Sequence, residues 1–333
     1  MVRSMNPPWL NEGVMTVTFG ATPSRVYAEM SPGSTPKCRA RPEQANYAGR
    51  VGSNSAADEH VPREWEGIGQ PEALEWWEAR HRESGGLDAV GYAGAGADYN
   101  AWLYRLRRRV FRRHVAPLVD PGWAVLDAGS GTGFYLELWR EAGVGKVVGS
   151  DVSETAVRVL RERFPSLRIE RFDLSGPATE LPEERFDAVS AFDLLFHLID
   201  DAAYRRALAN LARLVRPGGL LVISENFRRE GPRRYASVQV NREEGEILEG
   251  LGSAGFEVLE RHPMFVVMNA PACGGGPLLH SWWQSMHRLL TTRPRTGAIL
   301  GPALYPAELV SLRLVRRAPS TELAICRRAG GPH

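Results

Sequence analysis

The sequence predicts an α/β fold, a mostly parallel sheet covered by helices on both faces, and three observations carry that prediction. From Val125 onward, apolar runs that end in Gly or Asp alternate with amphipathic helical patterns, a βαβ rhythm that places crossover helices on both sides of a sheet. The first of these runs leads into DAGSGTG at 127–133 and then a helix, a strand–loop–helix junction whose glycines let backbone amides approach a ligand closely. Of the 333 residues, 43% are hydrophobic, enough to bury one substantial core with appendages.

Residues 1–66 are rich in Pro, Gly, Ser and Ala and show no sustained period of 2 or 3.6. They are predicted to be a disordered extension, with Met15 and Met30 as alternative starts. PEALEWWEARHRESGG, from Pro71, reads as a helix with Pro in its first turn and a stop at Gly85-Gly86. After a GYAGAG loop, a second helix runs from Asp98 to about Val115, with Trp102, Leu103, Leu106 and Val110 on one face. Together these form a helical cap over residues 67–118.

The core is placed at 119–262. WAVLDAG, KVVGSD, LRIERFD, FDAVSAFD and GLLVISENF read as strands, and GFYLELWREAG, SETAVRVLRERF and DAAYRRALANLARLV as helices, the last closed by Arg216-Pro217-Gly218-Gly219. A helix near Arg242–Ala254 and a strand at Phe256–Glu260 continue the alternation. The last strand, STELAICRR, belongs to the 321–333 tail and arrives only after about sixty further residues, too many for a plain loop. Residues 263–320 are therefore predicted to be a helical insertion containing LLHSWWQSMHRLL.

Several function classes are disfavoured. A net charge of +2 does not suggest a polyanion-binding protein, and RLRRRVFRRH reads as the solvated arginine face of an amphipathic helix before it reads as a nucleic-acid surface. Lys37 and Lys146 are the only lysines, an arginine bias attributed to GC-rich coding. Cys38, Cys273 and Cys326 are far apart, with no CxxC pair, and so suggest reduced thiols without zinc. No run approaches the roughly 20 apolar residues of a membrane span, nor does a leader pattern open the chain, so a cytoplasmic protein is expected.

The glycine loop narrows the ligand. A dinucleotide fingerprint would read GxGxxG, but Phe134 stands where its third glycine belongs. An acid followed by GxGxG, here Asp127, Gly129, Gly131 and Gly133, resembles motif I of the class I S-adenosylmethionine-dependent methyltransferases, and the resemblance extends from about Val125 to Phe227. It implies a Rossmann-like fold with a seven-stranded sheet, to which the helical cap before it and the insertion between strands 6 and 7 are added by the pattern alone. It also implies S-adenosyl-L-methionine as cofactor, with Ser130 in the loop and Asp127 orienting the loop and the methionine amino group. Asp151, 18 residues after Gly133, would accept from ribose hydroxyls beside Val152. Phe172 would border adenine, with Asp173 accepting from its amine, and Asp193 would face the methionine end. Asp151 has a plainer reading as a cap for the following helix, and Asp127 as a partner for loop amides.

Methyl transfer requires an in-line nucleophile and sometimes a base. His197, four residues past Asp193 in FDLLFHLIDD, is the candidate base, with a structural role as the alternative. Catechol-type O-methyltransferases hold Mg²⁺ with an Asp after the fourth strand and an Asp-Asn pair after the fifth. Asp193, Glu225 and Asn226 occupy those places with Glu for Asp, and a metal-free mechanism is preferred. Tyr104-Arg105 on the second helix is a further candidate, its arginine meeting the cofactor carboxylate. Acceptor contacts are expected from the strand-end loops, the cap and the insertion, whose aromatic stock includes Trp77, Tyr99, Trp102, Trp282 and Trp283, with His280 and His287 on one helical face. The expected activity is methylation of a small molecule, foremost a hydroxyl oxygen of a secondary metabolite or sugar-like acceptor. RNA base or carbon methylation, and cofactor binding without catalysis, are the alternatives. AFDLLFH in place of an NPPY-type tetrapeptide disfavours adenine amino-methylation. The oligomeric state, a homodimer included, is left open.

Overall fold

Seven strands form one mixed sheet: β1 (Ala124–Ala128), β2 (Lys146–Asp151), β3 (Arg168–Arg171), β4 (Phe186–Ala191), β5 (Val215–Glu225), β6 (Phe256–Pro263) and β7 (Glu322–Arg328), in the order β3-β2-β1-β4-β5-β7-β6. A computed structural model describes residues 69–83, 91–92, 95–231, 234–235 and 238–330. The expected extension over 1–66 lies outside the described residues, as does Cys38, whereas Cys273 and Cys326 are buried free thiols. Strands β1 to β5 are parallel, and β7 runs antiparallel to both of its neighbours. The chain builds outward from β1 to β3 and then returns to the other side of β1 as β4. That reversal opens a crevice beyond the carboxyl ends of β1 and β4.

The helices are α1 (Gln70–Glu83), α2 (Gly96–His114), α3 (Phe134–Glu141), α4 (Glu154–Arg163), α5 (Asp201–Leu214), α6 (Glu244–Ser253), α7 (Gly276–Thr292) and α8 (Gly297–Leu314). Two apolar layers flank the sheet. One joins Leu106 and Phe111 of α2, Leu136 and Trp139 of α3 and Trp283 of α7. The other joins Leu208 and Leu211 of α5 to Ile247 and Leu251 of α6. Central β1 is buried along Val125–Ala128, as a continuous apolar run in a parallel strand requires. Helix starts are set locally: Ser153 caps α4 through the Ala156 N–H, Asp200 caps α5 through the Ala203 N–H, and Glu243 and Glu246 form a capping box on α6.

Four boundaries differ from the sequence expectation, each for a local reason. Strand β3 ends at Arg171 and β4 at Ala191, so Phe172, Asp173 and Asp193 stand in the loops beyond them. Arg216–Gly219 does not precede β5 but bulges from it: Val215 pairs with Phe186 and Leu220 with Ala188, and the Arg216 guanidinium is held 2.6 Å from the Asp187 carboxylate. Strand β6 continues to Pro263 because its ladder with β7 runs as far as Glu322.

The insertion contains two long helices, as expected, and is anchored to α2. On α8, Gly297 and Gly301 lie one turn apart, where an added Cβ would stand 2.9 Å from Tyr99 and 2.2 Å from Trp102, so only glycines permit this approach. The carboxylate of Glu308, fully buried in α8, accepts from the N–H groups of Val266, Val267 and Met268 and fixes the loop that leaves β6.

At Gly133, φ is +83° and an added Cβ would meet Phe164 at 2.4 Å and Leu160 at 2.9 Å. Gly133→Ala combines a left-handed backbone penalty with overpacking and should lower stability by about 2–4 kcal/mol. Urea denaturation against the parent chain measures it, with the slope unchanged.

Candidate functional site

The crevice beyond β1 and β4 is a cleft whose floor is the glycine loop and whose outer wall is α1. Ser130 and Gly131 form the turn. The Ser130 hydroxyl donates to the Asp127 carbonyl at 2.8 Å, and the Gly131 N–H donates to the Asp151 carboxylate at 2.8 Å. Gly129 and Gly131 have φ of +72° and +52°, the left-handed conformation that glycine adopts without steric cost. The Thr132 hydroxyl also lines the cleft, buried and without a hydrogen-bond partner.

Asp151 ends β2 and faces the cleft. Its second oxygen accepts from the Ser153 N–H at 3.0 Å. The helix cap is Ser153, however, so Asp151 supports that cap and the glycine loop together. The Ser153 hydroxyl in turn donates to Glu78 of α1 at 2.6 Å, and the Thr155 hydroxyl does the same at 2.6 Å. Burial works to raise the Glu78 carboxyl, but hydrogen bonds from Ser153 and Thr155, with Arg82 nearby, outweigh it and hold the group down at about 2. The other end of α1 is tied by the Ile199 N–H, which donates to Gln70 at 3.0 Å. Leu74 and Trp77 between these ties, and His81 beyond them, face the cleft, and both ring nitrogens of His81 are buried without partners.

Asp127 lies beneath the loop, not in the cleft lining. Trp139 Nε1–H donates to Ser190 Oγ at 2.9 Å, and the Ser190 hydroxyl donates to Asp127 at 2.6 Å. Burial pushes the Asp127 carboxyl up to about 7 against the hydrogen bonds from Ser190 and Ser130. Gly133 is likewise outside the lining, at the start of α3, while Gly129, Ser130, Gly131, Asp151, Val152, Phe172, Asp173, Asp193, Tyr104 and His197 are brought together around the cleft. Asp173 accepts from the Ser175 N–H and hydroxyl on one oxygen, each at 2.8 Å.

The arginine expectation is corrected by one position class. Arg105 is exposed and lies over the Trp102 ring, 4.6 Å from its centroid, outside the cleft. Arg107, about 200° further round the helix, is buried and forms an ion pair with Asp193. Asp193 has φ of +51°, the one positive φ among described residues other than glycine. Its N–H donates to Ser224 Oγ at 2.7 Å, while the Ser224 hydroxyl donates back to its carboxylate at 2.8 Å. The sequence did carry a signal for Arg107, since it falls on the apolar stripe between Leu103 and Val110. His81 had no such signal, because its role depends on where α1 docks.

The metal alternative finds its donors already committed. Asp193 serves Arg107 and Ser224, and Asn226 donates to Asn241 at 2.8 Å and accepts from Thr321 at 2.9 Å. Glu225 is buried, accepts from the Asn226 N–H, and is pushed up to about 7 by that burial. These groups do not converge as an oxygen cage for Mg²⁺.

His197 sits in a short 3₁₀ turn, Leu195–His197, with its ring edge-on to Trp77 at 4.6 Å between centroids. Nδ1 is 2.9 Å from the Val238 carbonyl, which requires the proton on Nδ1 and leaves Nε2 as an acceptor. Burial depresses the ring to about 4, so it is neutral at pH 7. The expectation that the insertion would cover the cleft is not met: no cleft-lining residue comes from 263–320. Tyr99 donates to the Met268 carbonyl, Trp102 packs on Tyr305, Trp282 donates to the Val267 carbonyl, Trp283 and His287 pack around Tyr92, and His280 lies against the Gly276 carbonyl. All six serve the α2–α7–α8 packing or the surface.

A buried carboxyl raised from 3.8 to about 7 favours the fold while protonated, so Asp127 contributes stability below pH 4 that is lost as pH rises to about 7. His197 acts oppositely below 6.5, so a difference measurement is required. Asp127→Asn retains an oxygen for Ser190 and should gain melting temperature relative to the parent as pH rises from 4 to 8, with the gap widest at pH 8.

A family model described as a methyltransferase domain matches residues 125–219. A demethylmenaquinone methyltransferase from Renibacterium salmoninarum is 36% identical over 121 residues, covering 35% of this chain and 48% of that protein. A probable S-adenosylmethionine-dependent methyltransferase from Mycobacterium tuberculosis is 34% identical over 127 residues, covering 38% and 43%. A ubiquinone biosynthesis O-methyltransferase from Alkalilimnicola ehrlichii is 35% identical over 106 residues, covering 31% and 41%. The chain thus spans less than half the length of these relatives, and the family model covers the first four strands of the sheet with the start of the fifth. The core of this chain belongs to the class I S-adenosylmethionine-dependent methyltransferases.

Proposed function

We propose that the chain transfers a methyl group from S-adenosylmethionine to a small-molecule acceptor with an acidic hydroxyl, phenolic or enolic. The observation that carries this reading is the cleft at the β1/β4 reversal, where a methyltransferase-type glycine loop is turned against Asp151 and enclosed by α1. The residues suit the cofactor: the buried Thr132 hydroxyl in the cleft lining has no protein partner, the left-handed Gly129 and Gly131 leave the floor free of side chains, and Phe172 offers an apolar face for a base. When bound, that cofactor supplies an electrophilic methyl on a sulfonium.

In this reading Asp151 accepts from the ribose hydroxyls through lone pairs left after Gly131 and Ser153, and Asp173 uses its second oxygen for the adenine amine. Asp193, held by Arg107 and Ser224, presents fixed charge at the methionine end. His197, with its proton committed to Val238, takes the acceptor's hydroxyl proton on Nε2. A ring depressed to about 4 is a weak base, and it matches a phenol or enol better than a sugar alcohol. Once that proton leaves, either the oxygen or a conjugated ring carbon can attack the methyl. The named relatives include both an O-methyltransferase and quinone-pathway enzymes, and oxygen is the proposed atom here. Trp77, Leu74 and Tyr104 supply the apolar wall that excludes water. A cytoplasmic location is proposed with it; no helix among the described residues is long and apolar enough to cross a membrane.

Calorimetry with S-adenosylhomocysteine tests the binding half, and labelled cofactor with a panel of phenols and enols tests transfer. An absence of binding overturns the reading, and binding without transfer across the panel leaves a cofactor-binding protein. Asp151→Ala should weaken S-adenosylhomocysteine by roughly 1–3 kcal/mol through lost hydrogen bonds to a charged group, read as a 5- to 150-fold rise in Kd. His197→Ala should lower kcat by about 10²–10⁴ while leaving that Kd within about twofold; equal losses in both would make the ring a structural group.

A further inference from the structure

A second cavity, of about 440 Å³, lies between the C-terminal halves of α2 and α8 and the end of β6, away from the cleft. Arg109 and Arg113 reach it from α2, and Arg313 and Arg316 from α8 and the residue run after it. None of the four forms a hydrogen bond or ion pair with a described residue. Arg261 also lines it but is already paired with Glu244 and Glu322. The other chargeable groups there are His114 and His262, whose rings stack 3.6 Å apart, with Glu260 bonded to His262 at 2.8 Å.

Two ordinary explanations can be weighed. Arginines are favoured near helix C-termini, and both α2 and α8 end here, but each terminus carries only about half a negative charge. With Glu260 added, this leaves a surplus of about two positive charges around one cavity. All four are exposed and line one concavity, where their like charges repel unless an anion lies among them. A divalent cation on His114, Glu260 and His262 is the competing occupant, because their ligand atoms lie within 4.8 Å of one another. The imidazole planes differ by only 19°, so their in-plane lone pairs run side by side and do not converge on one ion, and the surrounding arginines repel a cation.

We propose that this cavity is a binding site for a phosphoryl-bearing anion, gripped by Arg109, Arg113, Arg313 and Arg316. Guanidinium forks match phosphate oxygens in pairs, and four of them from two helices suit a group of two or more negative charges. His114, pushed down to about 4 by burial and by its neighbours His262 and Arg113, is neutral at pH 7 and serves as a hydrogen-bonding wall. Half-buried Leu309 and Leu312 line the same cavity, so the ligand carries an apolar portion beside its charge. A soluble phosphorylated metabolite and a phospholipid head group share this chemistry.

Inorganic pyrophosphate is the probe, titrated into the full chain by calorimetry at low ionic strength. Saturable binding is expected, weakened at least tenfold in both Arg313→Gln and Arg109→Gln and falling with added salt. Arg317→Gln is the control: Arg317 is exposed, pairs with Glu244 at 3.7 Å and does not line the cavity, so binding should persist. No binding, or an equal loss in Arg317→Gln, overturns the site. Zinc binding that survives both arginine substitutions, without any for pyrophosphate, overturns it in favour of the cation. Sedimentation with phosphatidylglycerol vesicles, competed by pyrophosphate, would support the site with a lipid source, and pyrophosphate binding without vesicle binding would support it with a soluble one. S-adenosylhomocysteine affinity, unchanged in the arginine variants, keeps this outcome separate from that of the cleft.

Discussion

Everything around the cleft is referred to the carboxylate of Asp151. One oxygen holds the Gly131 N–H and so fixes the turn of the glycine loop; the other holds the Ser153 N–H at the head of α4. Ser153 then passes the connection to Glu78 on α1, which makes the outer wall of the cleft answer to the same strand end as its floor. Charge-assisted bonds of this kind are stronger than neutral ones, and here three are in series across four elements. A fixed loop meets a ligand without reordering, and the ligand is spared that entropy. The wall and the floor therefore form one preorganised unit.

A second constraint lies across the cleft. Arg107 and Asp193 are an ion pair in a largely apolar setting, where desolvation offsets most of the Coulomb gain. Position explains it better than stability does. Asp193 has to hold a left-handed backbone that costs about 1–2 kcal/mol, and its bonds to Ser224 and Arg107 leave the turn no alternative. The contrast with Asp127 is instructive. Asp193 follows β4 and Asp127 lies near the end of β1, but Asp127 has hydroxyl partners and no cation, and burial drives it toward the neutral form. One acid is therefore an anion facing the cleft and the other a hydrogen-bonded strut below it.

The sheet was legible because its central strands β1, β2 and β4 are apolar runs leading to Asp or Gly, and the period of its helices is strong. Gly129, Gly131, Asp151, Phe172 and Asp173 were legible for the same reason: strand ends fix where they stand. Arg105 was misjudged because the cap was read as a helix with a basic face, when the informative residue was the arginine that interrupts the apolar face. His81, Gln70 and Glu78 were out of reach, since they depend on how α1 docks, and a 14-residue helix carries no record of its partner. The insertion was foreseen as helical, but its destination was not: Gly297 and Gly301 set it against Tyr99 and Trp102, and that contact shows only once both helices are placed.

That destination changes where acceptor recognition resides. With α7 and α8 committed to the outer side of α2, the walls left to meet an acceptor are α1, Tyr104 and the loop Asp193–Leu198. The loop carries His197, whose ring is held by the Val238 carbonyl from a later segment. Tyr104 is packed edge-on against Phe134 and is fixed by α3. Helix α1 is tied through Gln70 and Glu78, with Leu74 and Trp77 between those ties and His81 one turn beyond them. These three side chains line the cleft without entering the bonds that hold the glycine loop, so the outer wall can vary in sequence while the floor keeps its geometry.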